Sequence, residues 1–334
     1  MKKRTLVQAA LSLALGVALV GCSGDDAATT TTPSVSSSGS AFPVTIAHKY
    51  GSTTIPRAPE RVVTLGLSDQ DAVLALGTVP VGAVDWFGEK PFGNWPWVKD
   101  KWTTAPTIVG ERDDYDVEKI IGLKPDLILA QYSGMTQAQY TTLSKIAPVV
   151  AQIKEFPDYS APWQDMATVI GKSLGREPEM DKILTGIDDQ LARVKKDNPE
   201  WANQTAVVVD PSEPGMYAAF AESDPKAQLI RDMGFKLSPE VTKLAGKDTA
   251  AVLSAERLDV LDVDRLVLLT TDATVRPRVE KDPAFAALKV VREKRTTWLP
   301  YTDAPPVGGA LTFVTPLSVP WAIDQLVSML NSNG

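Results

Sequence analysis

A helix–strand segment that occurs twice restricts the fold of this chain more than any other feature of its sequence. The segment "VEKIIGLKPDLILA" starts at Val117, and "AERLDVLDVDRLVL" starts at Ala255, 138 residues later. At that constant separation, Glu118 matches Glu256 and Leu123 matches Leu261. The match indicates two lobes that each carry one copy. Helix–strand patterns are common in α/β proteins, so coincidence remains an alternative.

The rest of the chain alternates between apolar runs typical of buried strands and short amphipathic helices. Strands are predicted at "RVVTLG", "PVGAVDW" and "DLILAQ", and the pattern resumes after residue 205 with "TAVVVD" and "DRLVLLT". One helix is predicted at "SDQDAVLALG", with Ser68 as N-cap, Asp71 at the third helical position and Gly77 as the stop signal. This alternation predicts a parallel α/β sheet in each lobe. The preceding "VTIAHKYGSTTIP" predicts a β-hairpin around Gly51.

A long amphipathic segment, residues 178–197, lies between the two predicted lobes. Pro178 suits a first helical turn and Pro199 follows the last one. Apolar residues recur at helical spacing on one face: Met180, Ile183, Leu184, Ile187, Leu191 and Val194. Twenty residues at about 1.5 Å each make a rod of about 30 Å, which can bridge two lobes. Periodicity alone equally allows a surface helix of one lobe.

The first 22 residues predict export. "MKKR" is basic, "LVQAALSLALGVALV" is apolar and "LVGC" ends on Cys22, so residues 1–21 are interpreted as a signal peptide. "LVGC" resembles the lipobox of bacterial lipoproteins, which implies cleavage before Cys22, lipid attachment to its sulfur and a place on the extracytoplasmic face of the cell membrane. The alternative is a chance cysteine after a transmembrane helix. Residues 22–41 contain almost nothing that could be buried and predict a disordered tether.

Composition counts against several functions. The chain has 34 basic and 41 acidic residues, and loss of the three basic residues of the signal peptide would leave ten more acids than bases. With no basic stripe, nucleic-acid binding is not expected. Cys22 is the only cysteine and His48 the only histidine, so no internal disulfide can form. Because His48 lies in the predicted hairpin and Cys22 in the lipobox, no Ser–His–Asp or Cys–His site can be assembled around a cleft. We expect a solvated His48, no direct metal ligand and no cofactor; binding, rather than catalysis, remains.

Six segments, taken in order, resemble the iron-siderophore and vitamin B12 solute-binding proteins of ABC importers: "GSTTIPRAPERVVTLG", "DAVLALGTVPVGAV", "VEKIIGLKPDLILA", "YTTLSKIAPVV", "WQDMATVIGKSLGR" and "PLSVPWAIDQLVSML". The resemblance covers residues 44–331. It implies an α/β fold of two Rossmann-like lobes joined by a single long helix, the class III periplasmic-binding-protein fold, with ligand held between the lobes. On this interpretation residues 42–162 form the amino-terminal lobe, 163–200 the connecting helical segment and 201–334 the carboxy-terminal lobe. A monomeric receptor for an ABC permease dimer and its ATPase is implied as well.

Candidate ligand contacts follow the predicted strands, because ligands bind outside the carboxyl ends of strands in open α/β sheets. The residues chosen on this basis are Trp86, Trp95, Trp97, Tyr132, Arg276 and Tyr301, with Trp298 as a further second-lobe candidate. Trp and Tyr offer wide apolar faces with one polar edge, which suits a bulky amphipathic ligand. Each could instead be a core or surface residue. The loop "WFGEKPFGNWPW" is set apart because it offers its aromatic residues little core to fill.

Arg112 stands alone among acids, six residues before Glu118. The spacing resembles the "VGxRxxxxxE" of hydroxamate-siderophore receptors, in which the arginine contacts iron-bound oxygens. On that resemblance Arg112 would donate its planar fork to hydroxamate or catecholate oxygens around Fe(III). The alternative is an arginine neutralised by Glu111, Asp113 and Asp114.

The repeated glutamates head their predicted helices, where the positive helix end favours an acid, and that is a sufficient structural reason for each. In the family that the chain resembles, a glutamate at this place on each lobe docks onto arginines of the permease, so the resemblance implies this role for Glu118 and Glu256. The expected function is capture of an Fe(III)-siderophore, of the hydroxamate or a mixed type, and its delivery to the importer. Vitamin B12, haem or ferric citrate as ligand remain alternatives, as does a lipid-anchored envelope protein without transport activity.

Overall fold

The amino-terminal lobe contains the predicted hairpin and a six-stranded sheet. The structure, a computed structural model, describes residues 41–85, 88 and 95–332, so the predicted signal peptide, Cys22 and the tether lie outside the described residues. The sheet order is β6-β5-β4-β3-β7-β8, parallel except for the β5–β6 pair. The elements are β1 (Val44–His48), β2 (Gly51–Ile55), β3 (Val62–Thr64), α1 (Asp69–Ala75), β4 (Gly82–Asp85), β5 (Thr107–Glu111), β6 (Asp114–Tyr115), α2 (Val117–Leu123), β7 (Leu127–Leu129), α3 (Gln137–Leu143), β8 (Val149–Val150) and α4 (Trp163–Ser173).

The carboxy-terminal lobe holds a second six-stranded sheet of order β12-β10-β9-β13-β14, with β11 also paired to β9. Its central strands β9 and β13 are buried along almost their whole length, as expected for a sheet covered on both faces. The remaining elements are α5 (Glu177–Asp197), a 3-10 helix (Pro199–Asn203), β9 (Thr205–Asp210), β10 (Met216–Phe220), α6 (Pro225–Asp232), β11 (Lys236–Leu237), α7 (Pro239–Ala245), β12 (Ala250–Ser254), a second 3-10 helix (Ala255–Leu261), β13 (Arg265–Thr270), α8 (Val275–Glu280), α9 (Pro283–Ala286), α10 (Lys289–Arg292), β14 (Thr296–Pro300), α11 (Val307–Thr312) and α12 (Ser318–Ser332).

The second sheet is mixed, so the prediction of a parallel sheet is wrong for this lobe. β10 runs antiparallel to both β9 and β12. Only residues 211–215 connect β9 to β10, and Gly215 has a φ of 75°. A parallel crossover needs a dozen residues or more, whereas a short link forces the chain to reverse direction.

Helix α5 joins the lobes, as the resemblance implied. Near its start, Met180 is buried in the first lobe's core with Val62. Further along, Ile187 and Val194 are buried in a second core with Val208. One apolar face of α5 therefore packs into both cores. The helix bridges the two lobes and is not a surface helix of one lobe, which periodicity alone would also have allowed. Among the helices of the described ranges, none is both long and apolar enough to cross a membrane.

Helix α1 does not carry the predicted N-terminal cap. It starts after Ser68, but the Ser68 side chain makes no capping hydrogen bond. The carboxylates of Asp69 and Asp71 are buried and accept hydrogen bonds from other segments of the chain. Both acids therefore bind donors far along the chain instead of capping the helix as the local sequence pattern had suggested.

The expectation of a solvated His48 is wrong, because the residue is 1% exposed. The Tyr50 backbone N–H donates to Nδ1 (3.2 Å), which leaves the proton on Nε2 for a bond to Thr53 Oγ1 (2.9 Å). The Thr53 hydroxyl in turn donates to the Val149 carbonyl (2.6 Å). Alternation along β1 places His48 on the same inward face as Ile46.

We expect the His48 ring to stay neutral in the folded protein down to a pH below its ordinary pKa of 6.5, because burial lowers this pKa. The unfolded chain then binds the proton first, so His48 costs no stability above about pH 6.5 and destabilises the fold as the pH falls. NMR of the ring, the only histidine signal of the protein, measures the midpoint with the urea-unfolded chain as control. A folded-state midpoint at or above pH 6.5 would contradict the effect of burial and would mean that water reaches the His48 ring.

Candidate functional site

The carboxyl ends of the strands of both lobes meet across a cleft. The Thr315 hydroxyl of the second lobe donates to Asp71 Oδ2 of the first (2.8 Å). The rings of Trp95 and Tyr301 lie 5.8 Å apart, edge to face. Helix α1 follows β3 in the chain and Tyr301 follows β14, so segments that leave the carboxyl ends of strands meet between the lobes, and the space beside them is the candidate binding site.

Arg112 lies at the carboxyl end of β5, as predicted. Its backbone is left-handed (φ 53°), and its N–H donates to the Asp85 carbonyl at the end of β4 (3.0 Å). A left-handed non-glycine residue costs about 1 kcal/mol or more. Lys124, Tyr159 and Lys294 share this left-handed backbone, so the strain alone does not assign a role to Arg112. Ligand contact by Arg112 stays a prediction.

Asp113, the residue after Arg112, holds the turn of Arg112 against the loop that follows β7. The Asp113 carboxylate accepts hydrogen bonds from Tyr115 Oη (3.0 Å), the Gly134 N–H (3.0 Å) and the Tyr159 hydroxyl. Asp113 therefore holds the turn in place and is committed to three donors.

Tyr132 follows β7, as predicted, and is half-buried. Asp69 positions it by accepting hydrogen bonds from the N–H groups of Gln131 (2.8 Å) and Tyr132 (3.2 Å). The Tyr159 ring packs against Tyr132 edge to face, 5.8 Å away. Tyr159 was missed because it stands nine residues beyond the end of β8, outside the rule used to choose candidates. Together the two rings offer an apolar surface edged with hydroxyls.

Trp95 and Trp97 fill the core between the lobes, so the premise that their loop offers little core is wrong. They are 8% and 7% exposed, and their rings stack 5.0 Å apart. The Trp95 ring also packs against Phe313 (5.4 Å) and Tyr301 (5.8 Å). Tyr301 lies at the end of β14, as predicted, with its N–H bonded to the Thr270 carbonyl (2.9 Å). Trp86 lies outside the described residues.

Asp71 is a buried carboxylate at this junction that sequence reasoning assigned to a helix end. It accepts hydrogen bonds from Trp97 Nε1 (3.1 Å) and Thr315 Oγ1 (2.8 Å). Burial raises the pKa of Asp71 to about 7, and the two hydrogen bonds oppose that rise. Asp71 thus links helix α1 to the segment that carries Trp97 and to the loop before α12.

Arg276 and Trp298 come together, but beside the edge strand rather than at the ends of the strands. The guanidinium lies 5.4 Å from the Trp298 ring, and Nε donates to Glu280 (2.8 Å). They line a hollow of about 600 Å³ with Lys294 and Ser328. Its neighbours are the amino end of β14 and the end of α12, so the structure does not group Arg276 with Arg112 or Tyr132.

Asp224 and Lys226, at the start of α6, were missed by sequence reasoning. Burial raises the pKa of Tyr132, and the negative charge of Asp224 adds to this rise, so the acid acts electrostatically on the phenol. The Lys226 Nζ lies 3.2 Å from Asp224. The motif "SDPK" reads as an ordinary helix start, with Asp224 as N-cap, so nothing in it signalled a cleft residue.

A scan against protein-family models matches residues 62–300 to the family described as periplasmic binding protein. The chain belongs to this family. The match covers well over half of the chain and includes most of both lobes.

Curated relatives of this periplasmic binding protein include a substrate-binding lipoprotein and a ferric dicitrate-binding protein. The putative ABC transporter substrate-binding lipoprotein YhfQ of Bacillus subtilis is 31% identical over 75% of this chain and 78% of its own length. The Fe(3+) dicitrate-binding periplasmic protein FecB of Escherichia coli is 26% identical over 76% and 81%. Both matches span the two lobes.

Solved structures of similar proteins confirm the fold. A periplasmic solute-binding protein of Mycobacterium smegmatis is 33% identical with a TM-score of 0.76, over 87% of this chain and 98% of that one. Staphylococcus aureus SirA, solved with staphyloferrin B, is 27% identical with a TM-score of 0.72, over 86% and 98%. Among the residues that the structure describes, no three His, Cys, Asp or Glu side chains are grouped as a metal site.

The repeated unit occurs in both lobes, with Glu118 and Glu256 exposed at matching places. α2 leads to β7, and the second 3-10 helix leads to β13. Asp116 caps α2 by accepting from the Lys119 N–H (3.0 Å). The second copy is kinked at Arg257 and is a 3-10 helix, not the α-helix expected from the repeat.

Proposed function

We propose that the mature protein is an extracytoplasmic solute-binding lipoprotein, anchored through Cys22, that captures a ferric siderophore in its cleft and delivers it to an ABC importer. The observation that carries the proposal is a two-lobed cleft whose architecture matches that of a siderophore-bound relative. Relatives named as lipoproteins and as ferric-citrate or siderophore binders support it. The proposal takes the paired rings of Tyr132 and Tyr159 and the guanidinium of Arg112 as ligand contacts, since such groups suit a bulky ligand with oxygens around Fe(III).

Titration of the intrinsic tryptophan fluorescence with ferric and iron-free siderophores tests this function. Trp95 and Trp97 lie where the lobes meet, so a ligand that draws the lobes together should change their emission. Ferric complexes should bind at micromolar concentration or below, and iron-free forms more weakly. Ferric citrate, haem and vitamin B12 complete the panel. No response to any ferric complex would refute the proposal, and a response to vitamin B12 alone would change the ligand.

Replacement of Arg112 by alanine should weaken ferric-siderophore binding by about 1–3 kcal/mol, the value of a charge-assisted hydrogen bond. Lys124 provides a matched control, because it is also an exposed cation with left-handed backbone (φ 47°). It follows the last residue of α2, just before the amino end of β7, and so lies away from the carboxyl ends of the strands. Lys124→Ala should leave affinity unchanged. Equal affinities of the two variants would show that Arg112 is a surface residue without a role in binding.

A further inference from the structure

The side chains of Asp224 and Lys226 form a largely buried ion pair in the second lobe. They are 7% and 15% exposed, with the Lys226 Nζ 3.2 Å from the carboxylate. The same Nζ lies 4.1 Å from the centre of the Phe220 ring. Holding two charges away from water is costly unless their geometry is good and the remaining donors find partners. Such a pair therefore fixes an ammonium group at one place.

The pair lies on the side of the second lobe that faces the first lobe. The Asp224 charge acts on the phenol of Tyr132, which follows β7 of the first lobe. Helix α6, which begins with the pair, packs against α11, and Gly309 of α11 lies close to the Trp95 ring and the Tyr301 carbonyl, where the lobes meet. The helix that carries the pair therefore borders the junction of the lobes, and the pair lies on the side from which Asp224 acts on Tyr132.

The Lys226 ammonium can still bind an anion. It has three N–H donors, of which Asp224 accepts one, while the face of Phe220 covers another side. No further side chain within residues 41–85, 88 and 95–332 accepts a hydrogen bond from it. An oxygen of a ligand in the cleft would complete its set of partners in surroundings where water screens little.

Arg276, the cation predicted for this lobe, is less suited to that task. It is more than half exposed and bound to Glu280, and its guanidinium stacks on Trp298 beside the edge strand. Lys226 is less exposed, and its partner Asp224 acts electrostatically on Tyr132. Between the two, the geometry favours Lys226 as the second-lobe cation of the cleft.

We propose that Lys226 contacts anionic oxygens of the bound ferric complex, and that this contact selects complexes with free carboxylates over neutral ones. The proposal rests on the proposed function and adds the charge class of the ligand. A neutral complex gains a hydrogen bond from Lys226, whereas an anionic one also gains a charge–charge attraction in a partly desolvated site.

The test compares the lipid-free mature protein with the double variant Asp224→Asn, Lys226→Met. Both partners are changed because Lys226→Met alone would leave a buried, unpaired carboxylate and could prevent folding. The probes are ferric citrate, an anionic carboxylate complex, and ferrichrome, a neutral trihydroxamate. The double variant should lose about tenfold or more in affinity for ferric citrate, the value of a charge-assisted contact, and stay within about twofold for ferrichrome. Lys243→Met, an exposed lysine of the same lobe, is the control.

Each other outcome has a defined meaning. Equal losses for both complexes, with a lowered melting temperature, would show that the pair only stabilises the fold. Unchanged ferric citrate affinity, or a wild-type protein that binds only the neutral complex, would overturn the selection by charge while leaving siderophore capture intact. A wild-type protein that binds no ferric complex would refute the proposed function and this inference with it.

Discussion

Uptake of a ferric siderophore should stop when Glu118 and Glu256 are both replaced by arginine, while the affinity for the ligand stays within about twofold. Both acids are exposed, and each precedes a central strand of its own sheet at matching places. A pair of like charges, one on each lobe, fits a partner with two-fold symmetry, such as a permease dimer. Rim charges mainly govern encounter and orientation, so reversal should repel the partner without changing the cleft.

The control is the double variant Glu60→Arg, Glu200→Arg. It makes the same change in net charge with two exposed acids, one just before β3 and one just before β9. They lie at the amino ends of the strands, away from the cleft, so uptake should persist. Uptake is measured in cells that depend on this protein, beside the ligand affinity of each purified variant. Normal uptake by the Glu118/Glu256 variant would refute the docking role, and lost ligand binding would show that these segments support the cleft.

Local pattern predicted the long elements well because they bury a regular face. The apolar face of α5, including Met180, Ile187 and Val194, was predicted from spacing alone, and all three are buried. Spacing could not say which core each residue enters. Which core each residue enters depends on contacts between residues far apart in sequence. The two-lobed arrangement with a bridging helix came from the resemblance to a known family.

The errors occurred where tertiary contacts override the local pattern. His48 was expected in solvent because no second histidine or cysteine could join it as a metal ligand, yet the hairpin packs on β8 and encloses the ring. Trp95 and Trp97 follow prolines and glycines, so their loop seemed to lack a core, but the opposite lobe provides one. The alternation rule for α/β sheets likewise missed β10, whose direction depends on a five-residue link.

Positioning acids were the least predictable part of the candidate site. Asp69 and Asp71 stand in a helix's first turn, where acids are common for local reasons. Their partners, at Gln131 and Thr315, are far along the chain. Asp224 was missed for the same reason, since only in the folded chain does its charge act on Tyr132, 92 residues earlier in the sequence.

Replacement of Asp71 by asparagine should make the protein more stable at pH 7.5 and remove part of its pH dependence. The pKa of Asp71 is raised from 3.8 to about 7 in the folded state by burial. Between these values the folded protein holds a proton that the unfolded chain has released, so stability falls as the pH rises from about 4 to about 7. Each pH unit costs about 1.4 kcal/mol, which gives about 4 kcal/mol in total. The amide oxygen of asparagine can still accept from Trp97 and Thr315.

Urea unfolding at pH 4.5 and pH 7.5 measures this effect. The difference between wild type and Asp71→Asn isolates Asp71, because Asp69, whose pKa is also raised by burial, to about 6, contributes equally to both proteins. We expect the advantage of the variant to grow by several kcal/mol from the lower to the higher pH. Asp71→Ala should instead destabilise the protein at both pH values, because it leaves the Trp97 and Thr315 donors buried without an acceptor. An advantage of Asp71→Asn that is the same at both pH values would mean that Asp71 is ionised throughout, and that the lobe junction holds a carboxylate despite its burial.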